Sequence, residues 1–115
     1  MVVLSVAGED RPDSWGVLLR GTLVTDVQLE CLKRIPNLQH LALDCTEVTD
    51  AGVERLQGLT GLRVLNVANT RITDAALAYL KALTSLRQLN LNGTQVTNEG
   101  VEGLLQALPN CKIER

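Results

Sequence analysis

The chain has 115 residues, of which 45% are hydrophobic, and its formal net charge is −2. This length allows one domain with a modest core, and the charge excludes the strongly basic surface that binds nucleic acid or an anionic membrane. Since no stretch approaches the roughly 20 apolar residues of a bilayer-spanning helix, we predict neither nucleic acid nor a membrane as a partner.

The aromatic content is low, with no Phe, one Trp and one Tyr. A core without aromatic rings must be filled by Leu, Val, Ile and Ala, which favours thin, repeated layers over a thick globular centre. The three cysteines, Cys31, Cys45 and Cys111, form no CxxC pair. Their odd number and irregular spacing argue against a disulfide framework and against a zinc site. We therefore predict a cytoplasmic protein without a metal or other cofactor.

The N-terminal segment contains a short apolar run at residues 2–6, followed closely by Glu9, Asp10 and Arg11. The run has no basic flank before it and is too short for a secretory signal. We interpret it as an irregular strand in an N-terminal cap over residues 1–13. Pro12 and Trp15 interrupt the pattern that follows.

From residue 14 onward the sequence repeats itself every 24 residues. Repeats of this period indicate a solenoid in which each unit stacks on the next. Aligned columns include Leu41, Leu65 and Leu89; Leu43, Val67 and Leu91; Thr46, Thr70 and Thr94; and Thr49, Thr73 and Thr97. Projected backwards, the register meets Val17, Leu19, Thr22 and Thr25. We assign the repeats to residues 14–110.

Each repeat contains two halves with different periodicities. The first half alternates apolar and other residues, as in Leu41-Ala42-Leu43, which predicts short parallel strands near residues 16–20, 40–44, 64–68 and 88–92. The second half has apolar residues three positions apart, such as Val53, Leu56 and Leu59, which predicts helices near residues 26–35, 50–58, 74–83 and 98–108. Thr-Asp pairs such as Thr49-Asp50 stand where helix caps belong, and Thr25 with Gln28 has the spacing of a capping box.

The C-terminal segment departs from the repeat. Residues 109–113 are one residue out of phase with Leu86 to Leu89. We predict a terminal strand over residues 111–115, with Cys111 filling the end of the core. The whole chain, residues 1–115, is then a single domain.

Residues 38–62 read LxxLxLxxTxVTDxGVxxLxxLxxL. This pattern resembles leucine-rich repeats of the TxITDxGL subtype, which are common in bacterial proteins and similar to the cysteine-containing repeats of F-box substrate receptors. The resemblance implies an α/β fold, a right-handed solenoid of about four strand–helix units with a parallel concave sheet. It also implies macromolecular recognition, with the substrate-recognition part of a ubiquitin-ligase-like or effector assembly as an alternative.

Two polar columns have a structural and a functional interpretation. The column Asp26, Asp50, Asp74 and Asn98 could bind a cation, but helix capping is sufficient to explain it. The threonine column at positions 22, 46, 70 and 94 could offer hydroxyl groups to a ligand. We expect these hydroxyls instead to satisfy backbone groups in the turn after each strand, as a ladder between repeats. Cys45 falls in a column with Gly21, Asn69 and Gly93, where a small side chain is expected.

His40 is the only histidine, and no second histidine, clustered cysteine or carboxylate dyad accompanies it. The sequence also lacks a Gly-rich phosphate loop, a nucleophile elbow and an HExxH motif. We predict a protein that is not an enzyme.

The outward side of the strands is the candidate partner-binding face. The residues expected on it are His40, Asp44, Arg63, Val64, Asn66, Arg87, Gln88, Asn90 and Asn92. This mostly polar surface with a basic rim suits contact with another protein, although it lacks the aromatic anchors of binding hot spots. The alternative is a structural repeat fragment without a dedicated ligand, which self-associates as a homodimer through an exposed terminal strand.

Overall fold

The computed structural model describes residues 3–6, 15–35 and 37–115. Within these ranges, strands and helices alternate along the chain after an initial pair of strands. The elements are β1 (Val3–Val6), β2 (Trp15–Leu18), a 3₁₀ helix (Val27–Arg34), β3 (Leu38–Ala42), α1 (Asp50–Glu54), β4 (Val64–Asn66), α2 (Asp74–Leu80), β5 (Gln88–Asn90), α3 (Asn98–Ala107) and β6 (Lys112–Glu114). Val2, Pro12 and most of the N-terminal cap predicted over residues 1–13 lie outside the described residues.

The strands form one sheet in the order of the chain, from β1 to β6. β2 to β6 are parallel, whereas β1 pairs with β2 in the antiparallel direction. The register shifts between Trp15 and Gly16, where the sequence pattern was expected to break, and then continues at the 24-residue spacing. The predicted α/β solenoid of four strand–helix units is therefore confirmed.

The expected phase slip at the C-terminal end is present before the last strand but does not extend into it. Ile113 pairs with Leu89, 24 residues earlier, and it continues the row that Leu41 and Leu65 begin. The displacement by one residue lies before the strand, where Leu108 and Cys111 are buried and the 24-residue spacing would have placed Ala107 and Asn110. Cys111 fills the end of the core, as predicted.

The core lies between the sheet and the helices and is aliphatic, as the composition predicted. Inward side chains from successive strands stack in rows, so that each coil covers the apolar face of the next. The side chains that are almost fully buried include Leu29, Leu41, Leu43, Leu56, Leu62, Leu65, Ile72, Leu80, Leu83, Leu86, Leu89 and Leu91.

The helices are shorter than predicted, and the first is a 3₁₀ helix. After α1, the backbone continues through tight turns in which Leu56, Leu59 and Leu62 each donate an N–H bond to the carbonyl three residues earlier, at 2.9–3.0 Å. A leucine at every third position fits this three-residue turn as well as it fits an α-helical stripe. The apolar stripe was therefore predicted correctly, but part of it lies in 3₁₀ turns and not in an α-helix.

The turn after each of β2 to β5 contains one residue with a positive φ angle. The angles are 70° at Gly21, 60° at Cys45, 56° at Asn69 and 72° at Gly93. The expectation that a small side chain is all this column requires is incomplete, because each position also has a left-handed backbone, which glycine adopts without strain and asparagine tolerates.

Replacing Gly21 and Gly93 separately with alanine should separate backbone strain from crowding. At Gly21 an added Cβ meets no atom within 4 Å, so Gly21→Ala should cost about 1 kcal/mol from the left-handed backbone alone. At Gly93 the Cβ would overlap the side-chain oxygen of Asn69, which is exposed and can rotate away, so Gly93→Ala should cost only about 0.5 kcal/mol more than Gly21→Ala. Urea denaturation measures both values. In an Asn69→Gly background the two costs should become equal; equal costs in the natural background would contradict the crowding.

Candidate functional site

The outward side chains of β3 to β6 form a surface that we call the strand face. The parallel register aligns it in two rows, one containing His40, Val64, Gln88 and Lys112, and the other Ala42, Asn66, Asn90 and Glu114. The inward row of Leu41, Leu65 and Leu89 lies between them, because successive side chains of a strand point to opposite faces. The alternation of apolar and polar residues in the sequence therefore determines which side chains lie on the strand face.

The strand face is polar and only partly open. His40, Gln88 and Asn92 are exposed, whereas Val64, Asn66 and Asn90 are half-buried. A shallow depression of about 180 Å³ lies over β4 and β5, and Glu114 closes one side of it. The depression offers amide, carboxylate and small apolar groups to a partner.

Asp44 does not belong to the open surface on which it was expected. It is only 7% exposed, and its Oδ2 atom lies 2.9 Å from Nε of Arg20. The reason is that β3 ends at Ala42, two residues before the predicted end, so that Asp44 already lies in the turn. Asp44 therefore pairs with Arg20 of the preceding repeat and has little surface available to a partner.

Asn66 and Asn90 lie on the strand face, but their amide oxygens are already occupied. The Oδ1 atom of Asn66 accepts a bond from the N–H of Ala68 at 3.0 Å, and that of Asn90 from the N–H of Asn92 at 2.9 Å. These bonds hold the turn at the end of each strand. Each side chain therefore has a structural role, which the sequence reasoning did not assign to it, and retains only its amide N–H groups for a partner.

Arg63 and Arg87 lie beside the strand face on neighbouring coils, where the N–H of Arg87 donates to the carbonyl of Arg63 at 2.8 Å. Both side chains are exposed, and neither forms an ion pair with any described residue. The guanidinium of Arg87 makes only long bonds, of 3.3–3.4 Å, to the carbonyls of Thr84 and Leu86. The backbones of these two arginines thus lie one strand spacing apart, which is about 4.8 Å.

The sequence reasoning missed Lys112 and Glu114 as members of the strand face. They continue the rows of Gln88 and Asn90 at the same 24-residue spacing. The periodicity therefore contained the signal, and the phase slip assigned to residues 109–113 concealed it.

Comparison with known proteins agrees with this architecture. A family profile described as "Leucine rich repeat" matches residues 36–96, which is more than half of the chain. The chain belongs to the leucine-rich repeat family. Among solved structures it is similar to an internalin from Listeria monocytogenes, with 18% sequence identity and a TM-score of 0.56. The similarity covers 81% of this chain and 32% of the internalin, so the chain spans about a third of that protein. No curated protein matches the sequence.

The aspartate column connects successive leucine-rich repeats. Asp26 accepts two bonds from Thr49, one from its N–H at 2.9 Å and one from its hydroxyl at 2.6 Å. The same pair of bonds joins Asp50 to Thr73 and Asp74 to Thr97, at 2.5–2.8 Å. We call these contacts the Asp–Thr bridges. The cap itself is the threonine: Thr49, Thr73 and Thr97 each accept a backbone N–H of the following helix turn.

The Asp–Thr bridges argue against the interpretation of the aspartate column as a cation-binding site. Both carboxylate oxygens of each aspartate already accept a hydrogen bond from the next repeat, so the acceptors that a cation would need are in use. The bonds from Thr97 also hold the pKa of Asp74 below its ordinary value of 3.8, because they stabilise the charged carboxylate. The described residues contain no group of three or more His, Cys, Asp or Glu side chains suited to a metal ion.

The threonine column satisfies backbone groups, as predicted, but not as a ladder between repeats. The hydroxyls of Thr22, Thr46, Thr70 and Thr94 each donate to the carbonyl three residues earlier, at 2.6–2.7 Å. These bonds lie within one leucine-rich repeat. They close the turn after the strand and are not directed to a ligand.

The remaining reactive groups are dispersed. His40 is exposed at one side of the strand face, and the cysteines are free, with Cys31 and Cys45 exposed. Burial raises the pKa of the Cys111 thiol, an effect that nearby Arg87 partly offsets. In the part of the chain that the structure describes, no helix is long and apolar enough to cross a bilayer.

Proposed function

We propose that this chain is a non-enzymatic recognition module that binds a partner protein along its strand face. The observation that carries the proposal is the partly exposed, in-register face of β3 to β6, beside which Arg63 and Arg87 form no ion pair with a described residue. Membership of the leucine-rich repeat family supports the proposal, because stacked repeats create extended surfaces of the kind that bind proteins.

The residues proposed to contact the partner are His40, Val64, Gln88, Asn92, Arg63 and Arg87, together with Lys112 and Glu114. Arg63 and Arg87 carry the proposed specificity. Both residues carry a positive charge on neighbouring repeats, and a carboxylate of the partner could accept charge-assisted bonds from both guanidinium groups. We therefore expect the partner to present an acidic side chain beside a mostly polar contact surface.

A pair of double charge reversals tests the strand face. Arg63→Glu with Arg87→Glu should weaken binding to the partner by about tenfold or more, because a repulsive contact replaces an attractive one. Arg71→Glu with Lys81→Glu is the matched control, since it changes the net charge equally at exposed positions outside the face. The measurement is affinity capture with mass spectrometry, followed by titration of each purified partner against the three proteins.

The proposal requires that the two double variants differ. Partners retained by the control and lost by Arg63→Glu/Arg87→Glu would support it, provided that both variants unfold at the temperature of the unmodified chain. Retention of every partner by both variants would contradict it. So would equal loss from both, because equal loss reflects net charge and not the strand face.

The cytoplasmic location inferred from the cysteine content stays a prediction. The ubiquitin-ligase-like or effector assembly also stays a prediction, and so does the structural repeat fragment without a dedicated ligand.

A further inference from the structure

The outer edge of β6 has backbone groups available for pairing. The N–H of Lys112 donates to Arg87 at 2.8 Å and the carbonyl of Glu114 accepts from Leu91 at 2.7 Å, so both residues direct their backbone groups toward β5. Alternate residues of a strand direct these groups to opposite edges. The N–H and C=O of Ile113 therefore point to the other edge, with which no strand pairs among the described residues.

The side chains of β6 alternate in charge and in direction. Lys112 and Glu114 are exposed on the strand face with opposite charges, and Ile113 points inward. Ile113 is half-buried and packs against the end of the core, where it continues the row of Leu65 and Leu89. The strand therefore combines a charged side, an incompletely covered apolar side and an unpaired edge.

We propose that β6 pairs with β6 of a second copy of this chain, antiparallel and centred on Ile113. The two Ile113 residues exchange N–H···O=C bonds across a two-fold axis. Lys112 then stands opposite Glu114 of the second copy, and Glu114 opposite its Lys112. This self-association goes beyond the recognition of a partner protein on the strand face.

Backbone direction and charge select the same register. Centring on Ile113 makes Ile113 the hydrogen-bonded pair and leaves Lys112 and Glu114 in non-hydrogen-bonded pairs, where opposing side chains approach most closely. A slip of two residues in one direction places Lys112 opposite itself, and in the other direction Glu114 opposite itself. Both slips bring like charges together, which is unfavourable.

The inward-pointing side chains of the paired strands would cover the end of the core. In the centred register the two Ile113 side chains meet beneath the sheet, so that the row of Leu65, Leu89 and Ile113 continues into the second copy. Because β6 has only three residues, the dimer should be weak, with a dissociation constant on the order of 100 µM.

Sedimentation equilibrium of the 115-residue chain, over concentrations from about 5 to about 500 µM, measures the self-association. Lys112→Glu should weaken it by about tenfold, because the introduced carboxylate would face Glu114 of the second copy, and Glu114→Lys should do the same through opposed lysines. Combining both substitutions in one chain should restore it. Lys81→Glu, on the exposed end of α2, is the control for net charge and should change nothing.

Mixing the two single variants gives the sharpest result. A chain with Lys112→Glu and a chain with Glu114→Lys face each other with both charge pairs restored, so the mixture should form heterodimers while neither variant dimerises alone. Three results would each overturn the proposal: a monomer at every concentration, dimerisation of both single variants as strong as that of the natural chain, or failure of both the mixture and the double variant to associate.

Discussion

Replacing Leu65 with alanine should lower the free energy of unfolding by about 3 to 4 kcal/mol. Leu65 is 1% exposed and lies in the middle of the inward row, between Leu41 and Leu89. The substitution removes buried methyl groups and leaves a cavity that the coils on both sides cannot easily fill, because each is held in register by the sheet. Urea denaturation followed by circular dichroism measures the change.

Two less buried side chains provide the comparison that makes this prediction specific. Leu105→Ala, at a side chain that is 38% exposed on α3, should cost about 1 kcal/mol or less. Ile113→Ala, in the same row as Leu65 but half-buried on β6, should give an intermediate loss. If Leu65→Ala costs no more than Leu105→Ala, successive coils do not share one packed interior.

Replacing Asp50 with alanine should lower the free energy of unfolding by about 2 kcal/mol. The carboxylate accepts the N–H of Thr73 at 2.7 Å and its hydroxyl at 2.6 Å, and the contact is partly buried. Alanine removes both acceptors and leaves the Thr73 N–H without its partner at the start of α2. Charge-assisted bonds of this kind contribute more than neutral ones, and urea denaturation again provides the measurement.

Asparagine at the same position is the matched control. Asp50→Asn keeps an oxygen that can accept the Thr73 N–H, so its cost should be less than half that of Asp50→Ala. A double-mutant cycle of Asp50→Ala with Thr73→Ala should give a coupling of about 1 kcal/mol or more. Equal costs for the asparagine and alanine variants would show that the bond from the Thr73 N–H does not stabilise the junction between repeats, and additive effects in the cycle would show the same for the bond from its hydroxyl.

The repeat itself was predictable because a fixed 24-residue period determines which side chains share a row. Leu41, Leu65 and Leu89 were assigned to one inward row from spacing alone, and the strand register confirms this assignment. The caps at Thr49, Thr73 and Thr97 were predictable for a related reason, since a hydroxyl before a helix satisfies local backbone groups.

Other features depend on information that the pattern does not contain. The bond from Thr73 to Asp50 joins residues 23 positions apart, so helix capping alone could not identify it. The burial of Asp44 follows from where β3 ends, and strand ends are poorly defined by alternation. The turn at Cys45 has a left-handed backbone. The two glycines in the same column could have indicated this conformation, but the cysteine and asparagine beside them concealed the signal.

The order of the sheet has a mechanical consequence. Each strand pairs only with the strands before and after it in the chain, and each Asp–Thr bridge joins one repeat to the next. Tension applied between Trp15 and Arg115 would therefore pass through the junctions in series, because no strand of the described residues pairs across more than one junction to share the load. The coil junction that yields at the lowest force would open first, and the extension would proceed by steps of one repeat.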